Sequence, residues 1–411
     1  MKLAIVHDWL TGMRGGEKCL EIICRRFPGA DLYTLLHQKG TTSPAIERMR
    51  IRTSFLQRFP GIGRYYRWTL PLMPRAVERL RLPGDADLVL SFSSAVAKSV
   101  RVPPGVPHVC YCFSPMRYAW HLRGHYDPSI VRGGLSHGGL RHLPQTLNVA
   151  ARNLALDRIR RWDQQTSRRV THFVAVSRTI ADRIADCYGR DSTVIHPPVD
   201  DQFYTPARVP REDYYLCLSA LVPYKRIDLA IEACNRMGRR LVVIGSGPLT
   251  RRLRRMAGPT IEFLGWTPGD AIRDYLRRCR ALLFPGLEDF GIVPLEAQAC
   301  GAPVIAFGRG GATESLLSSG GDTPGTGIFF QRQTVEDLSA AMARFEDRPH
   351  DCCPQLARRQ AERHNVANFE RQLLDLLDQV HQQSGRSSDR TVPPVILPFS
   401  HDSPYRRHNA A

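Results

Sequence analysis

The sequence predicts an α/β protein made of two Rossmann-like domains with parallel sheets, and three observations carry that reading. A chain of 411 residues is longer than one ordinary core organises, so two domains of roughly 150–200 residues are expected. Apolar, β-rich runs alternate with helical patterns in each half, the order that lays strands parallel with helices on both faces. Between the halves, IHPPVDDQFYTPARVPRED at 195–213 interrupts both patterns with prolines and acids and reads as the join.

In the first half the strand candidates are KLAIVH (2–7), DLVLSF (87–92), HVCYCF (108–113) and HFVAVS (172–177), with helical candidates at 17–26, 146–168 and 178–188. The second half offers YYLCLSA (214–220), RLVVIG (240–245), IEFLG (261–265), ALLFP (281–285) and APVIAF (302–307), each followed by a helix-like or turn segment. Each strand candidate is a short apolar run bounded by polar or turn residues. Residues 355–381 read as helical, and the stretch from 384 has the composition of a disordered tail. The expected division is a first domain at 1–197, a linker at 198–212, a second domain at 213–362, a helix at 363–383 that is a candidate to cross back to the first domain, and a tail at 384–411.

Composition is that of a soluble globular chain. No apolar run approaches the roughly 20 residues of a membrane-spanning helix, and MKLAIVHDWL is broken by His7 and Asp8 too soon for a signal peptide. A cytoplasmic location is expected. Eleven cysteines are scattered through mostly apolar segments, and neither CYC at 110–112 nor CC at 352–353 has zinc-ligand spacing. Reduced, buried thiols and no structural metal follow.

A formal charge of +18 fits nucleic acid, an anionic lipid surface or a phosphorylated substrate. Its local distribution narrows the choice. IRTSFLQRFPGIGRYYRWTLPLMPRAVERLRL at 51–82 interleaves arginines with Phe, Tyr, Trp, Leu and Met around a single acid, Glu78. That mixture suits a membrane headgroup boundary, with Arg58, Arg64 and Arg67 as candidate contacts, or else a basic surface over an ordinary core.

The chemistry concentrates in PGLEDFGIVPLEAQACGAPVIA at 285–306. It reads as strand, turn, helix, strand, with the helix beginning at Pro294 and stopping at Gly301. Glu288 then falls at a strand's carboxyl end and Glu296 in the first helical turn. At such a junction the amides of Phe290, Gly291 and Ile292 are placed to face an anion. Carboxylates would repel that anion, so both glutamates are read as acceptors for hydroxyl groups, Glu296 for a ribose and Glu288 for sugar hydroxyls beside a reacting carbon. The plainer alternatives are a capping-box partner for Glu296 and a solvated turn for Glu288. Lys225, in the turn after a strand, is placed to meet a phosphate as a point charge, and Arg226 beside it adds a guanidinium fork. Gly15 and Gly16 follow the first strand, and their amides could line a diphosphate or merely open a helix.

The Glu-seven residues-Glu spacing of 288–296 resembles the signature of retaining glycosyltransferases of family 4. Similar correspondences run through LVPYKRIDLAIEA (221–233), VVIGSGP (242–248), HFVAVSRTIADRI, VIHPPVD and GMRGGEK (12–18). CYCFSPMRYAW (110–120) and PYKRIDLAIEA are similar to bacterial mannosyltransferases of O-antigen (lipopolysaccharide) and exopolysaccharide assembly. The resemblance implies a GT-B fold of two facing Rossmann-like domains, the first on the acceptor side and the second binding the nucleotide-sugar donor. It implies a retaining hexosyltransferase moving a sugar, mannose from GDP-mannose in the reading preferred here, to a lipid-linked saccharide at the inner membrane face, with no cofactor, no metal and no nucleic-acid partner. Glu288 is the catalytic candidate. The donor-binding candidates are Gly15, Gly16, Lys225, Arg226, Phe290, Gly291, Ile292 and Glu296, with Arg117, Tyr118 and His121 on the acceptor side. Two positions depart from the family pattern: Ala220 stands where an arginine is usual, leaving phosphate to Lys225, Arg226 and Arg178, and Phe113 stands where a histidine is usual, with His121 as the candidate substitute. The alternatives are a UDP-sugar transferase, a nucleotide-sugar epimerase or a phosphorylase of the same fold, and a non-catalytic polyanion- or lipid-binding protein.

Overall fold

The computed structural model describes residues 1–120, 145–319 and 323–386. These residues form two compact units. The first takes 1–120, 145–195 and 370–386, and the second 196–319 and 323–369.

The first unit is built on β1 (Leu3–His7), β2 (Asp31–Thr34), β3 (Arg50–Thr53), β4 (Leu88–Ser93), β5 (His108–Cys112), β6 (His172–Ala175) and β7 (Ser192–Val194). They lie in the order β3-β2-β1-β4-β5-β6-β7, with every pairing parallel. Strands β1, β4 and β5 are buried along their whole length, as apolar runs covered on both faces must be. Sequence reading found these and β6 but missed β2, β3 and β7. The reason is positional. β3 is an edge strand reading RIRT, mostly exposed, whose Arg50 and Arg52 pair with Asp31 of β2 at 2.9 and 3.3 Å. Charge on an edge blocks pairing with another chain and erases the apolar signal.

Asp8, just past β1, is the staple of this unit. Buried at 2% exposure, its carboxylate accepts from the amides of Ser94, Ala95, Val96 and Ala97 and from the Ser94 hydroxyl, at 2.6–3.0 Å. The loops after β1 and β4 are thereby locked together, at the point where strand order reverses.

The second unit holds β8 (Tyr215–Leu218), β9 (Leu241–Ile244), β10 (Ile261–Gly265), β11 (Ala281–Phe284), β12 (Val304–Phe307) and β13 (Gly327–Phe330). Their order is β10-β9-β8-β11-β12-β13, again all parallel. Strands β9, β11 and β12 are fully buried. Helix Ile227–Met237 puts Leu229, Ala230, Ile231, Ala233 and Cys234 into that core and stops at Gly238, whose φ of 63° a glycine adopts without strain. Two helices replace the single one read over 355–381: Pro354–Glu362 and Val366–Arg386. Asn365 makes the break, its side chain accepting from Asn368 N at 2.8 Å as an N-cap. The longer helix starts in the second unit and belongs to the first from Glu370 onward.

Residues 198–212 are docked on the second unit. Val199 N donates to His364 O at 2.8 Å, Arg358 reaches the carbonyls of Tyr204 and Asp201, and Arg277 holds Thr205 O at 2.7 Å. All eleven cysteines are free thiols, and ten are buried. Burial pushes Cys24, Cys187, Cys234, Cys279 and Cys300 up to about 12 and Cys352 up to about 11. No helix among the described residues is long and apolar enough to cross a membrane.

Candidate functional site

In the second unit chain order reverses between β8 and β11, with β9 and β10 on one side and β12 and β13 on the other. Open α/β sheets bind ligands beyond the carboxyl ends of strands flanking such a reversal. Here the loops after β8 and β11 bring Lys225 and Glu288 into an ion pair, Nζ against Oε1, with side chains 19% and 9% exposed. The pair does not have hydrogen-bond alignment, and Glu288 Oε1 takes no hydrogen bond among the described residues.

Close backbone approach sets this geometry. A Cβ on Gly286 would lie 2.9 Å from Lys225 Cα, and one on Gly245 would lie 1.9 Å from Ser219 O. No side chain is admissible at either position. The β8 loop is thus clamped between its neighbours after β9 and β11. Lys225 ends a short 3-10 turn, and Arg226 follows at φ 50°, the one non-glycine residue with positive φ among those described. That conformation costs about 1 kcal/mol, and Arg226 is held in it beside Asp228, with Nε 3.2 Å from Oδ2.

Gly291, at φ 92°, leads into helix Ile292–Ala299, whose N-terminus has no side-chain cap. Its first-turn N–H groups are therefore left for an anion or water. Sequence reading started this helix at Pro294 and put Glu296 in the first turn. The helix instead starts two residues earlier, because proline, which has no N–H, fits any first-turn position, where an N–H would find no intrahelical acceptor, and Glu296 falls in the second turn. A capping-box partner belongs at the third position, so that alternative is excluded. Glu296 is 4% exposed and accepts a hydrogen bond from the Tyr204 hydroxyl. Tyr204 is not among the expected site residues, because its segment reads as linker.

A second group missed by sequence reading backs the Glu288 loop. The His196 ring stacks on Phe290, centroids 4.8 Å apart and 14° between planes, and His364 packs against both rings at 5.1 and 5.7 Å. His196 Nε2 stands 3.8 Å from Glu314 Oε2. Burial, then the neighbouring His196 and Arg363, lowers His364 to about 4. The unfolded chain takes up that proton near pH 6.5 and the folded one only near 4, so the stability present above about pH 6.5 is lost as pH falls through this window. His364→Phe should remove about 2 kcal/mol of the stability difference between about pH 7 and about pH 4.5, read from urea midpoints. An unchanged pH slope would assign the loss to other groups.

Lys225, Arg226, Glu288, Phe290, Gly291, Ile292 and Glu296 thus come together in the second unit. The first unit holds the other expected residues. Gly15 and Gly16 open helix Gly15–Arg26 after β1, and a Cβ on Gly16 would lie 3.1 Å from Phe113 Cε2, so the Phe113 ring fills the space a side chain would take. Arg117 and Tyr118 lie in the turn after β5, with Tyr118 packed partly against the core. Arg58 and Arg64 are exposed, as are Phe59, Tyr65, Trp68 and Leu72. His121, the Arg67 side chain and residues 387–411 lie outside what is described.

Comparison with known proteins agrees with this architecture. Residues 15–203 match the family model Glycosyltransferase Family 4, and residues 200–364 match Glycosyl transferases group 1. The chain is similar to a GDP-mannose-dependent alpha-(1-6)-phosphatidylinositol monomannoside mannosyltransferase of Mycolicibacterium smegmatis, 33% identical over 199 residues, covering 40% of this chain and 52% of that protein. A D-inositol 3-phosphate glycosyltransferase of Kribbella flavida is 29% identical over 188 residues, covering 38% and 43%. The chain spans about half the length of the curated relatives it matches. Among solved structures, Anabaena HepE in complex with UDP and glucose superposes with a TM-score of 0.66 at 16% identity, over 92% of this chain and 99% of that one. Sucrose-phosphate synthase of Thermosynechococcus elongatus gives 0.65 at 15%, over 93% and 100%. Identities this low speak for the fold alone. With both family models covering 15 to 364 end to end and two parallel Rossmann-like sheets, the chain belongs to the family 4 glycosyltransferases and has their GT-B fold.

Proposed function

We propose that the protein is a retaining α-mannosyltransferase that moves mannose from GDP-mannose to a lipid-linked saccharide in bacterial surface-polysaccharide assembly, without a metal. The observation that carries this reading is the Lys225–Glu288 pair at the strand-order reversal, beside an uncapped helix N-terminus. Mannose and the guanine nucleotide are favoured because relatives about 30% identical are named as GDP-mannose-dependent mannosyltransferases.

In this proposal the donor diphosphate sits at the start of helix Ile292–Ala299 with Lys225 against it, Glu296 accepts from the ribose, and Glu288 accepts from mannose hydroxyls. The bond from the sugar's anomeric carbon to the diphosphate oxygen breaks as the acceptor hydroxyl attacks the same face. The acceptor's proton passes to the leaving phosphate oxygen. Preorganised charge at the diphosphate then supplies much of the barrier reduction.

Incubation with a panel of nucleotide sugars tests the proposal through slow donor hydrolysis and transfer. Release of GDP from GDP-mannose is expected. Turnover of a UDP-sugar instead would change the donor, and turnover of none would leave a polyanion- or lipid-binding protein.

The exposed arginine-aromatic segment of the first unit is proposed to dock on the anionic inner membrane surface, where each arginine contributes on the order of 1 kcal/mol and inserted rings add apolar burial. Arg58, Arg64 and Arg67 changed together to Glu should release the protein from anionic vesicles in co-sedimentation while donor hydrolysis stays nearly unchanged. Undiminished binding by the folded variant would remove this surface as the membrane contact.

A further inference from the structure

The expected cations of the second-unit site are already engaged before a ligand enters. Lys225 pairs with Glu288, and Arg226 pairs with Asp228. Asp289 and Glu296 are buried near the same loops, and the place where the family usually has an arginine holds Ala220. A nucleoside diphosphate brings further negative charge, so its binding calls for a cation that the fold has not spent.

Arg309 meets that requirement. It lies in the Gly-Arg-Gly-Gly loop at 308–311 that follows β12. Its side chain is exposed and takes no hydrogen bond or ion pair among the described residues.

The two glycines after it fix the loop against the site. Gly311 N donates to Glu288 O at 2.8 Å, and Gly310 forms an isolated parallel bridge with Glu288. A Cβ on Gly310 would lie 2.5 Å from Glu288 O, and one on Gly311 would lie 2.1 Å from Phe290 Cα. No other residue allows this contact, and at φ 72° Gly310 also has a backbone that suits glycine. Arg309 is therefore anchored beside the loop that carries Glu288 and leads to the uncapped helix, with neighbouring strands only about 4.8 Å apart.

We propose that Arg309 binds the diphosphate of the nucleotide-sugar donor and supplies the cation that Ala220 does not. The inference rests on the glycosyltransferase reading of the same site. A guanidinium presents paired N–H donors that match two phosphate oxygens, which a lysine ammonium does not. Exposed in the unliganded protein, it stays hydrated and carries no burial penalty until a phosphate replaces that water.

Calorimetric titration of wild type and Arg309→Gln with GDP, UDP and the corresponding nucleosides tests the assignment. Arg309→Gln should weaken the diphosphate that wild type binds by about tenfold to hundredfold, the loss expected for one or two charge-assisted hydrogen bonds. Its nucleoside affinity should stay within about twofold, and Arg309→Lys should fall between the two proteins. Undiminished diphosphate affinity in the folded variant overturns the proposal. So does an equal loss for nucleoside and diphosphate, which would mark a displaced loop. A raised acceptor KM with unchanged donor affinity would also overturn it, by moving Arg309 to the acceptor. Wild-type protein that binds neither diphosphate would take down the glycosyltransferase reading and this inference together.

Discussion

Glu288→Gln should lower kcat by about 10²-fold or more, equivalent to roughly 2.7 kcal/mol of transition-state stabilisation, with little change in donor affinity. The side chain is nearly buried and stands against the Lys225 ammonium as an ion pair, so the carboxylate is placed before substrate arrives. Glutamine keeps the shape but removes the charge that, in the proposed reaction, strengthens hydrogen bonds from sugar hydroxyls as positive charge develops at the reacting carbon. Stability should hardly suffer, since the Lys225 it leaves behind is partly exposed and can be hydrated. Single-turnover rates at saturating donor, with a urea midpoint to verify folding, decide the matter. Near-wild-type turnover in a folded variant would sink the role given to Glu288.

Lys225→Ala should produce the largest binding defect. Affinity for the nucleoside diphosphate should fall by about 10²-fold, while the nucleoside itself binds nearly as before. In the proposed binding mode two effects combine: the phosphate loses a point charge, and Glu288 becomes an unbalanced carboxylate facing the same anion. The second effect makes the losses coupled. In a Glu288→Ala background the same lysine substitution should cost less, because contacting residues are not additive. Equal losses for nucleoside and diphosphate would move Lys225 away from the phosphate.

The same pair shows where sequence reasoning stops. Lys225 and Glu288 were each recognisable as residues in a turn after a strand. Their contact was not, because it depends on β8 and β11 being neighbours although β9 and β10 come between them in the chain. Apolar runs revealed the central strands, where both faces are covered. They could not reveal β3, with its arginines at an edge, or β7, three residues long. His196 and His364 escape sequence reading for a related reason: they meet each other and Phe290 only when distant segments pack together. Glu296 is found but set two positions too early in its helix, since proline marks the neighbourhood of a helix start rather than its first residue.

The ten buried thiols have a practical consequence. Thiol-reactive reagents attack the thiolate; burial shields these sulfurs and, at Cys24, Cys187, Cys234, Cys279, Cys300 and Cys352, suppresses that form. Cys353 is the partly exposed exception, so a maleimide dye added to the folded protein has one ready attachment point, at the start of helix Pro354–Glu362. The remaining cysteines are spread over both units and become reactive only as their surroundings open. Without any engineered residue, the chain carries one handle for immobilisation or fluorescence and a distributed set of silent reporters, whose order of labelling would reveal which unit opens first.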